Sequence, residues 1–163
     1  CFSPPVMLAT MVIEILLAAL VFLRHREGRF ARVAVALLLL LASFQLAEYQ
    51  ICGNREPFFW SRFGLVAITF LPVLGLYLVS LVSRKRHFLR LGYTIAGAAL
   101  LAIVVIPRDM VDSQCAGNYV TFTGPAHFFH LYSIYYFGFL LLGIWESIEA
   151  MREQRSKIGR AHV

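Results

Sequence analysis

The feature that most constrains this chain is a series of five long apolar stretches separated by short basic clusters. Hydrophobic residues make up 60% of its 163 residues and charged residues only 15%, whereas soluble domains carry about 25% charged residues. A domain of this size leaves much of its surface in contact with solvent, so this many apolar side chains cannot all enter one soluble core. The surrounding solvent is therefore expected to be lipid. This excludes a soluble enzyme, a disordered tail, a small disulfide-stapled secreted domain and a nucleic-acid-binding module.

Each apolar stretch is close to the ~20 residues that a helix needs to cross a hydrocarbon core of about 30 Å. We therefore predict an all-α polytopic transmembrane helical bundle, built as one domain over residues 1–156. Its five spans are predicted at about 4–23, 33–52, 63–83, 91–106 and 127–146. Pro72 lies inside the third span and predicts a kink there. The longest segment predicted to be non-helical runs from Pro107 to Ala126.

The basic residues are divided unequally between the two sides of the predicted bundle. Eleven follow spans one, three and five: Arg24, Arg26, Arg29, Arg32, Arg84, Lys85, Arg86, Arg90, Arg152, Arg155 and Lys157. Only three, Arg55, Arg62 and Arg108, belong to the other side. The positive-inside rule then predicts that the N-terminus lies outside and the C-terminal segment in the cytoplasm, within a bacterial inner membrane. The lipid bilayer is the expected partner of these charges, and no nucleic-acid partner is predicted.

The last seven residues, 157–163, have the sequence that one reading frame of a common short-read sequencing adapter encodes. We interpret this segment as an adapter scar and assign it no function. On this interpretation the natural chain continues into further spans or into a cytoplasmic output domain.

Two cysteines are predicted to lie on the outer side. Cys52 ends the second span, and Cys115 lies in the segment between the fourth and fifth spans. Disulfides persist in oxidising compartments, so a Cys52–Cys115 bridge is a candidate. Cys1 is a competing partner, and the alternative is that the two cysteines are unrelated small apolar residues.

Several polar residues fall within the predicted spans. Glu14 lies near the middle of the first span and Glu48 near the outer end of the second, where an ionisable group costs several kcal/mol unless it faces the bundle interior. Gln45 and Glu48 share one helix face, and His127 and His130 open the fifth span at about the same depth as Glu48. These five residues form a candidate binding cluster for a proton or a small ligand. The alternative is that they are polar contacts that hold helices together.

A metal site is a more specific interpretation of the same residues. His127, His130 and Glu48 could ligate zinc and leave one position open for water. The spacing of the two histidines is a weak signal, because metal-binding helices more often use an i, i+4 pair. The chain has no Gly-rich phosphate loop, no HExxH and no CxxC, so no catalytic residue and no cofactor is assigned.

The start of the chain and its second span carry a family resemblance. With an initiator Met restored, the chain would open Met-Cys-Phe-Ser, and the second span contains Gln45-Leu46-Ala47-Glu48. This resembles a group of bacterial multi-pass membrane proteins that open with Met-Cys-Phe-Ser or Met-Cys-Trp-Ser and carry Gln-x-x-Glu in the second helix. The resemblance implies that Cys1, Ser3, Gln45 and Glu48 are the positions of interest. It implies a class of protein and no reaction, since no activity is assigned to that group.

The sequence leads to three hypotheses for function. The first is a membrane-embedded sensory or small-ligand-binding module that uses the outer polar cluster. The second is a proton- or cation-coupled transporter or channel subunit that uses Glu14 and Glu48. The third is a metal-dependent intramembrane hydrolase that uses His127, His130 and Glu48.

Overall fold

The computed structural model of the protein describes residues 4–25, 28–53, 57–83, 89–105, 112–115 and 119–161, and the side chains within them except at positions 4, 57 and 154–161. Over these residues the chain forms five helices and one two-stranded sheet. The elements are α1 (Pro4–Arg24), α2 (Arg29–Cys52), α3 (Pro57–Ser83), α4 (Leu89–Val105), β1 (Asp112–Cys115), β2 (Val120–Thr123) and α5 (Ala126–Ala161).

Four of the helices are long and apolar enough to cross a membrane: α1, α2, α3 and the apolar part of α5. The outward surfaces of the bundle are apolar, with Leu23 75%, Val105 77% and Ile134 70% exposed, which fits a protein whose solvent is lipid. The prediction of an all-helical membrane bundle is therefore confirmed for these four helices. The remaining predicted span, the fourth, corresponds to α4, an apolar helix of only 17 residues.

Helix α3 is the centre of the bundle. It packs against α2 on one side and against α4 and α5 on the other, whereas α1 packs on α2. The helix continues through Pro72. Its buried residues Leu65, Val73 and Leu76 form the core together with side chains of α4 and α5. These three residues are eight and three positions apart, spacings that keep them on one face of the helix.

Helices α3 and α4 run in opposite directions. Nη1 of Arg62, near the start of α3, donates a hydrogen bond to the carbonyl oxygen of Val104, near the end of α4, at 3.4 Å. A cation placed at the last carbonyls of a helix is favoured by the helix dipole. At the other end, Gly92 of α4 lies against Val73 of α3 and Phe139 of α5. Helix α5 therefore runs in the same direction as α3, and the hairpin lies at the end of the bundle where α3 and α5 begin.

The structure differs from the sequence prediction in the segment from Pro107 to Ala126. That segment contains β1 and β2, which pair as an antiparallel hairpin with Asp112 opposite Thr123 and Cys115 opposite Val120. Each strand has only four residues, which is too short for a reliable alternating pattern in the sequence. Helix α5 also continues well past the predicted end of its span at residue 146 and includes most of the predicted adapter segment.

Candidate functional site

The most elaborate arrangement of polar groups is the attachment of the hairpin to the bundle. Cys52, the last residue of α2, forms a disulfide with Cys115, the last residue of β1. This is the cysteine pair predicted from the sequence. One helical turn earlier on the same face of α2, Oε1 of Glu48 accepts a hydrogen bond from the backbone N–H of Val120 at 3.2 Å. Because Cys115 and Val120 are opposite each other in the hairpin, α2 holds both members of one strand pair.

Helix α3 provides the second attachment of the hairpin. The hydroxyl of Ser61 donates to the hydroxyl oxygen of Ser113 at 2.6 Å, and Ser61 is buried. Gly64 lies under the ring of Phe122, and a Cβ atom at this glycine would be 3.5 Å from that ring. The hairpin is therefore fixed to two helices by one covalent bond, two hydrogen bonds and an aromatic side chain.

Phe122 is the apolar anchor of the hairpin. Val120 and Phe122 point to the same side of β2, and this side faces the bundle. Val120 is buried, and the ring of Phe122 lies 6.4 Å from that of Phe44 in α2. Phe122 also packs against the core pair Leu65 and Ile103. The hairpin is consequently a cap whose apolar face closes the end of the helical core.

Glu48 is buried, with 7% of its surface exposed, and its carboxylate binds backbone. A buried carboxylate that accepts a backbone N–H satisfies a strand donor that would otherwise be lost. Its role in the structure is thus to hold the hairpin. Gln45, one turn earlier, is partly buried on the same helix.

The histidines do not join Glu48. His127 and His130 are both exposed on the first turns of α5. In the described part of the chain, no three His, Cys, Asp or Glu residues come close enough together to hold a metal ion. The prediction that His127, His130 and Glu48 share a metal is therefore wrong. The physical reason is that the two histidines face outward from α5, whereas Glu48 faces the hairpin.

Glu14 belongs to a different part of the molecule. It lies midway along α1, and its Oε2 atom is buried without a hydrogen-bond partner among the described residues. Helix α1 packs on α2, so Glu14 lies away from the hairpin attachments, which involve the last turns of α2 and the start of α3. Cys1 and Ser3, the other two positions that the family resemblance points to, lie outside the described residues.

A polar contact that was not predicted from the sequence joins α3 to α5. The hydroxyls of Thr69 and Tyr132 are 3.1 Å apart, and the hydroxyl of Tyr135 donates to the carbonyl oxygen of Thr69 at 2.5 Å. The adjacent carbonyl, that of Ile68, is the one that loses its helical N–H donor to Pro72. Tyr132 and Tyr135 were visible in the sequence as part of an aromatic run, but nothing in that run indicated that Tyr135 binds a backbone carbonyl of α3.

A second residue that was not predicted from the sequence is Glu146, which is buried at 4% exposure. It lies seven residues, or two helical turns, beyond Phe139 and so continues the face of α5 that carries Tyr132, Tyr135 and Phe139. Ser80 of α3 is also buried, and it precedes Glu146 by 66 residues, the separation of Thr69 and Tyr135. Because α3 and α5 run in the same direction, Ser80 and Glu146 are expected at the same level. The sequence could have indicated the burial of Glu146, because this acid lies on the same face of α5 as Tyr132 and Tyr135.

Apolar clefts border α5 on two sides. One, of about 250 Å³, lies between α4 and α5 and is lined by Ala99 and Ala102 opposite Phe128 and Tyr132. Another, of about 390 Å³, lies between α3 and α5 beside Gly75 and Gly143. Small residues leave these spaces because they lack side chains that could fill them. Both clefts are suited to apolar chains or rings rather than to polar ligands.

Comparisons with known proteins found no protein-family model, no curated protein and no solved structure that matches the chain.

Proposed function

We propose that this chain is a membrane-embedded sensory module in which the β1–β2 hairpin receives the signal and α5 carries it across the membrane. The observation that carries the proposal is the direct connection between these two elements. Helix α5 begins at Ala126, separated by only two residues from the end of β2 at Thr123, and runs without interruption to Ala161. A shift of the hairpin therefore acts directly on the first turn of the longest helix.

The length of α5 supports an output role. Its 36 residues extend over about 54 Å, well beyond the ~30 Å hydrocarbon core. The apolar part ends at Trp145, and the residues from Glu146 onward include several charges. The far part of α5 therefore extends out of the membrane on the side opposite the hairpin.

The orientation is part of the proposal. The hairpin end faces the outside of a bacterial inner membrane, because the described basic residues Arg24, Arg29, Arg32, Arg90 and Arg152 lie toward the opposite end of the bundle and because a disulfide persists in an oxidising compartment. The family resemblance fits this role, since it places Glu48, which holds the hairpin, in the Gln-x-x-Glu motif.

The test is whether disturbing the hairpin moves the far end of α5. Spin labels attached at Val82→Cys in α3 and Met151→Cys in α5, two exposed positions, measure the separation of these helices by electron–electron resonance in a Cys1→Ser background. We expect Phe122→Ala, which removes the apolar anchor of the hairpin, to shift or broaden the distance distribution. Tyr119→Ala is the matched control, because Tyr119 is 57% exposed. An unchanged distance in Phe122→Ala, together with faster amide exchange in the hairpin, would refute the proposal.

A proton-coupled transporter or channel subunit is the second candidate, and one observation favours it. The carboxyl group of Glu14 is placed midway along α1 with a buried oxygen that has no partner in the described residues. Proton uptake by liposomes that contain the protein, compared with liposomes that contain Glu14→Gln, tests this candidate directly. Equal uptake by the two preparations would count against it.

A further inference from the structure

Glu14 occupies the centre of a membrane-spanning helix. It is equally far along the chain from Pro4 and Arg24, the two ends of α1, so a helix that spans the bilayer places it at the middle of the hydrocarbon core. Ionisable residues at this depth are rare and mark functional positions. The hairpin and the sensory proposal do not involve this residue, so a role for Glu14 is independent of both.

The surroundings of Glu14 are apolar. Met7 and Ala18 are buried on α1, and their spacing from Glu14, seven and four residues, places all three on one helix face. This face packs on α2, since α2 is the helix that α1 contacts most. The buried oxygen of Glu14, Oε2, therefore lies in the seam between the two helices, where it has no hydrogen-bond partner among the described residues.

Helix α2 has no charged residue at the depth of Glu14. The two helices are antiparallel neighbours connected through residues 25–28, so Glu14 lies opposite the region of Leu39. The charged and titratable residues of α2 are Arg29, Arg32, Glu48 and Tyr49, and all four lie toward its ends. At 1.5 Å per residue, Arg32 is displaced along the axis by about 10 Å and Glu48 by about 14 Å.

The one hydroxyl on this face of α1 favours a neutral carboxyl group. Thr10 lies one turn before Glu14, and its hydroxyl proton is directed at the carbonyl oxygens of Val6 and Met7, at 3.0 and 2.9 Å. The Thr10 oxygen can therefore accept a hydrogen bond on this face but has no proton left to donate. A protonated carboxyl group can donate to such an oxygen, whereas a carboxylate cannot.

We propose that Glu14 is a proton-binding site at the centre of the membrane, occupied by a proton when α1 is packed on α2. A proton needs a single oxygen, whereas a metal cation such as Ca²⁺ needs six to eight oxygen ligands. The seam between Met7, Ala18 and α2 offers no such set. Loss of the proton would place a charge in this apolar seam, so the packing of α1 on α2 depends on the protonation of Glu14.

Dicyclohexylcarbodiimide, a lipid-soluble reagent that reacts with protonated carboxyl groups, tests the site. The O–H of the acid adds across one C=N bond, so that an O–C bond forms and the proton moves to nitrogen; nothing leaves the adduct. The full chain in lipid nanodiscs is treated from about pH 5 to about pH 9, a range over which an ordinary glutamate is mostly ionised, and the adduct is located by mass spectrometry. Glu153, an exposed glutamate of α5, is the internal control. We expect modification of Glu14 that falls with rising pH and exceeds that of Glu153 by at least about tenfold.

Two variants complete the test. Glu14→Asp keeps the carboxyl group and should retain the pH-dependent adduct, whereas Glu14→Gln should lose it together with the infrared C=O band of a protonated acid. Formation of the Cys52–Cys115 disulfide reports that each variant folds. If Glu14 does not react in the nanodisc at any pH in this range, although it reacts in the detergent-unfolded chain, the proposal is wrong. Equal modification of Glu153, or an infrared band that persists in Glu14→Gln, would also overturn it.

Discussion

Glu48 shows how one buried carboxylate can serve a backbone rather than a ligand. Its oxygen accepts the N–H of Val120 at 3.2 Å, and α2 carries the disulfide only one turn further on. An acid in this position replaces the strand neighbour that the edge of a two-stranded hairpin lacks. The hydrogen bond therefore fixes the depth at which the hairpin lies on the bundle, while the disulfide limits how far it can move away.

Glu48→Ala should loosen the hairpin without breaking the disulfide. The buried N–H of Val120 would lose its acceptor, at a cost of about 1–3 kcal/mol. We expect faster hydrogen exchange in the peptide that contains Val120, measured by mass spectrometry in nanodiscs. Gln45→Ala, one turn earlier on α2, is the control and should leave this peptide unchanged. Unaltered exchange in Glu48→Ala would mean that the hydrogen bond does not hold the hairpin.

Tyr135→Phe tests the polar contact between α3 and α5. The change removes the donor to the carbonyl oxygen of Thr69 while it preserves the ring that packs on Phe139 at 5.4 Å. Hydrogen bonds between membrane helices contribute on average about 0.6 kcal/mol, so we expect a loss of roughly this size in stability against unfolding by sodium dodecyl sulfate. Tyr136→Phe is the matched control, because the described residues offer its hydroxyl no partner. An equal loss of stability in both variants would mean that it comes from removing a hydroxyl group from α5 and not from breaking this contact.

Helix α4 approaches its neighbours closely at Gly92. A Cβ atom at Gly92 would lie 2.8 Å from Cε1 of Phe139 and 3.4 Å from Val73, distances that require the neighbours to move. Gly97, on the same helix, has no atom within 4 Å of the corresponding position. Glycine therefore allows a close approach of helices at position 92, whereas at position 97 it has no such role.

Gly92→Ala should destabilise the bundle, and Gly97→Ala should not. Replacing glycine by alanine within a helix favours helix formation by about 1 kcal/mol, so Gly97→Ala is expected to be neutral or stabilising. In Gly92→Ala the collision with Phe139 outweighs this gain, and the double variant Gly92→Ala with Phe139→Leu should recover part of the loss. Thermal unfolding in detergent, followed by circular dichroism, measures all three. If Gly92→Ala is as stable as Gly97→Ala, the helices are not as close as the structure places them.

At the scale of elements, sequence reasoning succeeded where a physical pattern repeats over many residues. Helices α1, α2 and α3 each repeat their apolar character over more than twenty residues, so their existence could be predicted from hydropathy alone. The hairpin could not be predicted, because four-residue strands such as Asp112–Cys115 contain too few repeats. The sequence likewise predicted some contacts of the candidate site and missed others. The Cys52–Cys115 pair was a candidate because both cysteines were predicted on the same side of the membrane, although Cys1 was a competing partner there. The outward direction of His127 depends on how α5 is rotated, which its sequence does not determine.

At the scale of the whole molecule, the main question for the topology is whether α4 crosses the membrane. Its 17 residues extend about 26 Å, slightly less than the ~30 Å hydrocarbon core. However, α4 runs antiparallel to α3 from Gly92, beside Val73, to Val104, beside Arg62, and so it returns the chain to the hairpin end. A small mismatch of this kind is accommodated by local thinning of the bilayer or by flanking side chains that reach the interface, at a modest cost. The antiparallel packing of α4 on α3 therefore favours α4 as a fifth span, which its length alone does not.

We predict that the two ends of α4 lie on opposite sides of the membrane. Single cysteines at exposed positions, Arg90→Cys at the start of α4, Thr123→Cys in the hairpin and Arg152→Cys in α5, are introduced into a Cys1→Ser background that keeps the Cys52–Cys115 disulfide. A membrane-impermeant maleimide should label position 123 in intact cells and positions 90 and 152 only in inverted vesicles, because α4 and α5 each separate the hairpin from the basic clusters. Labelling of positions 90 and 123 from the same side would show that α4 does not cross. Labelling of all three positions from the reverse sides would keep the five crossings but invert the orientation, and would then place the hairpin in the cytoplasm, where its disulfide would not persist.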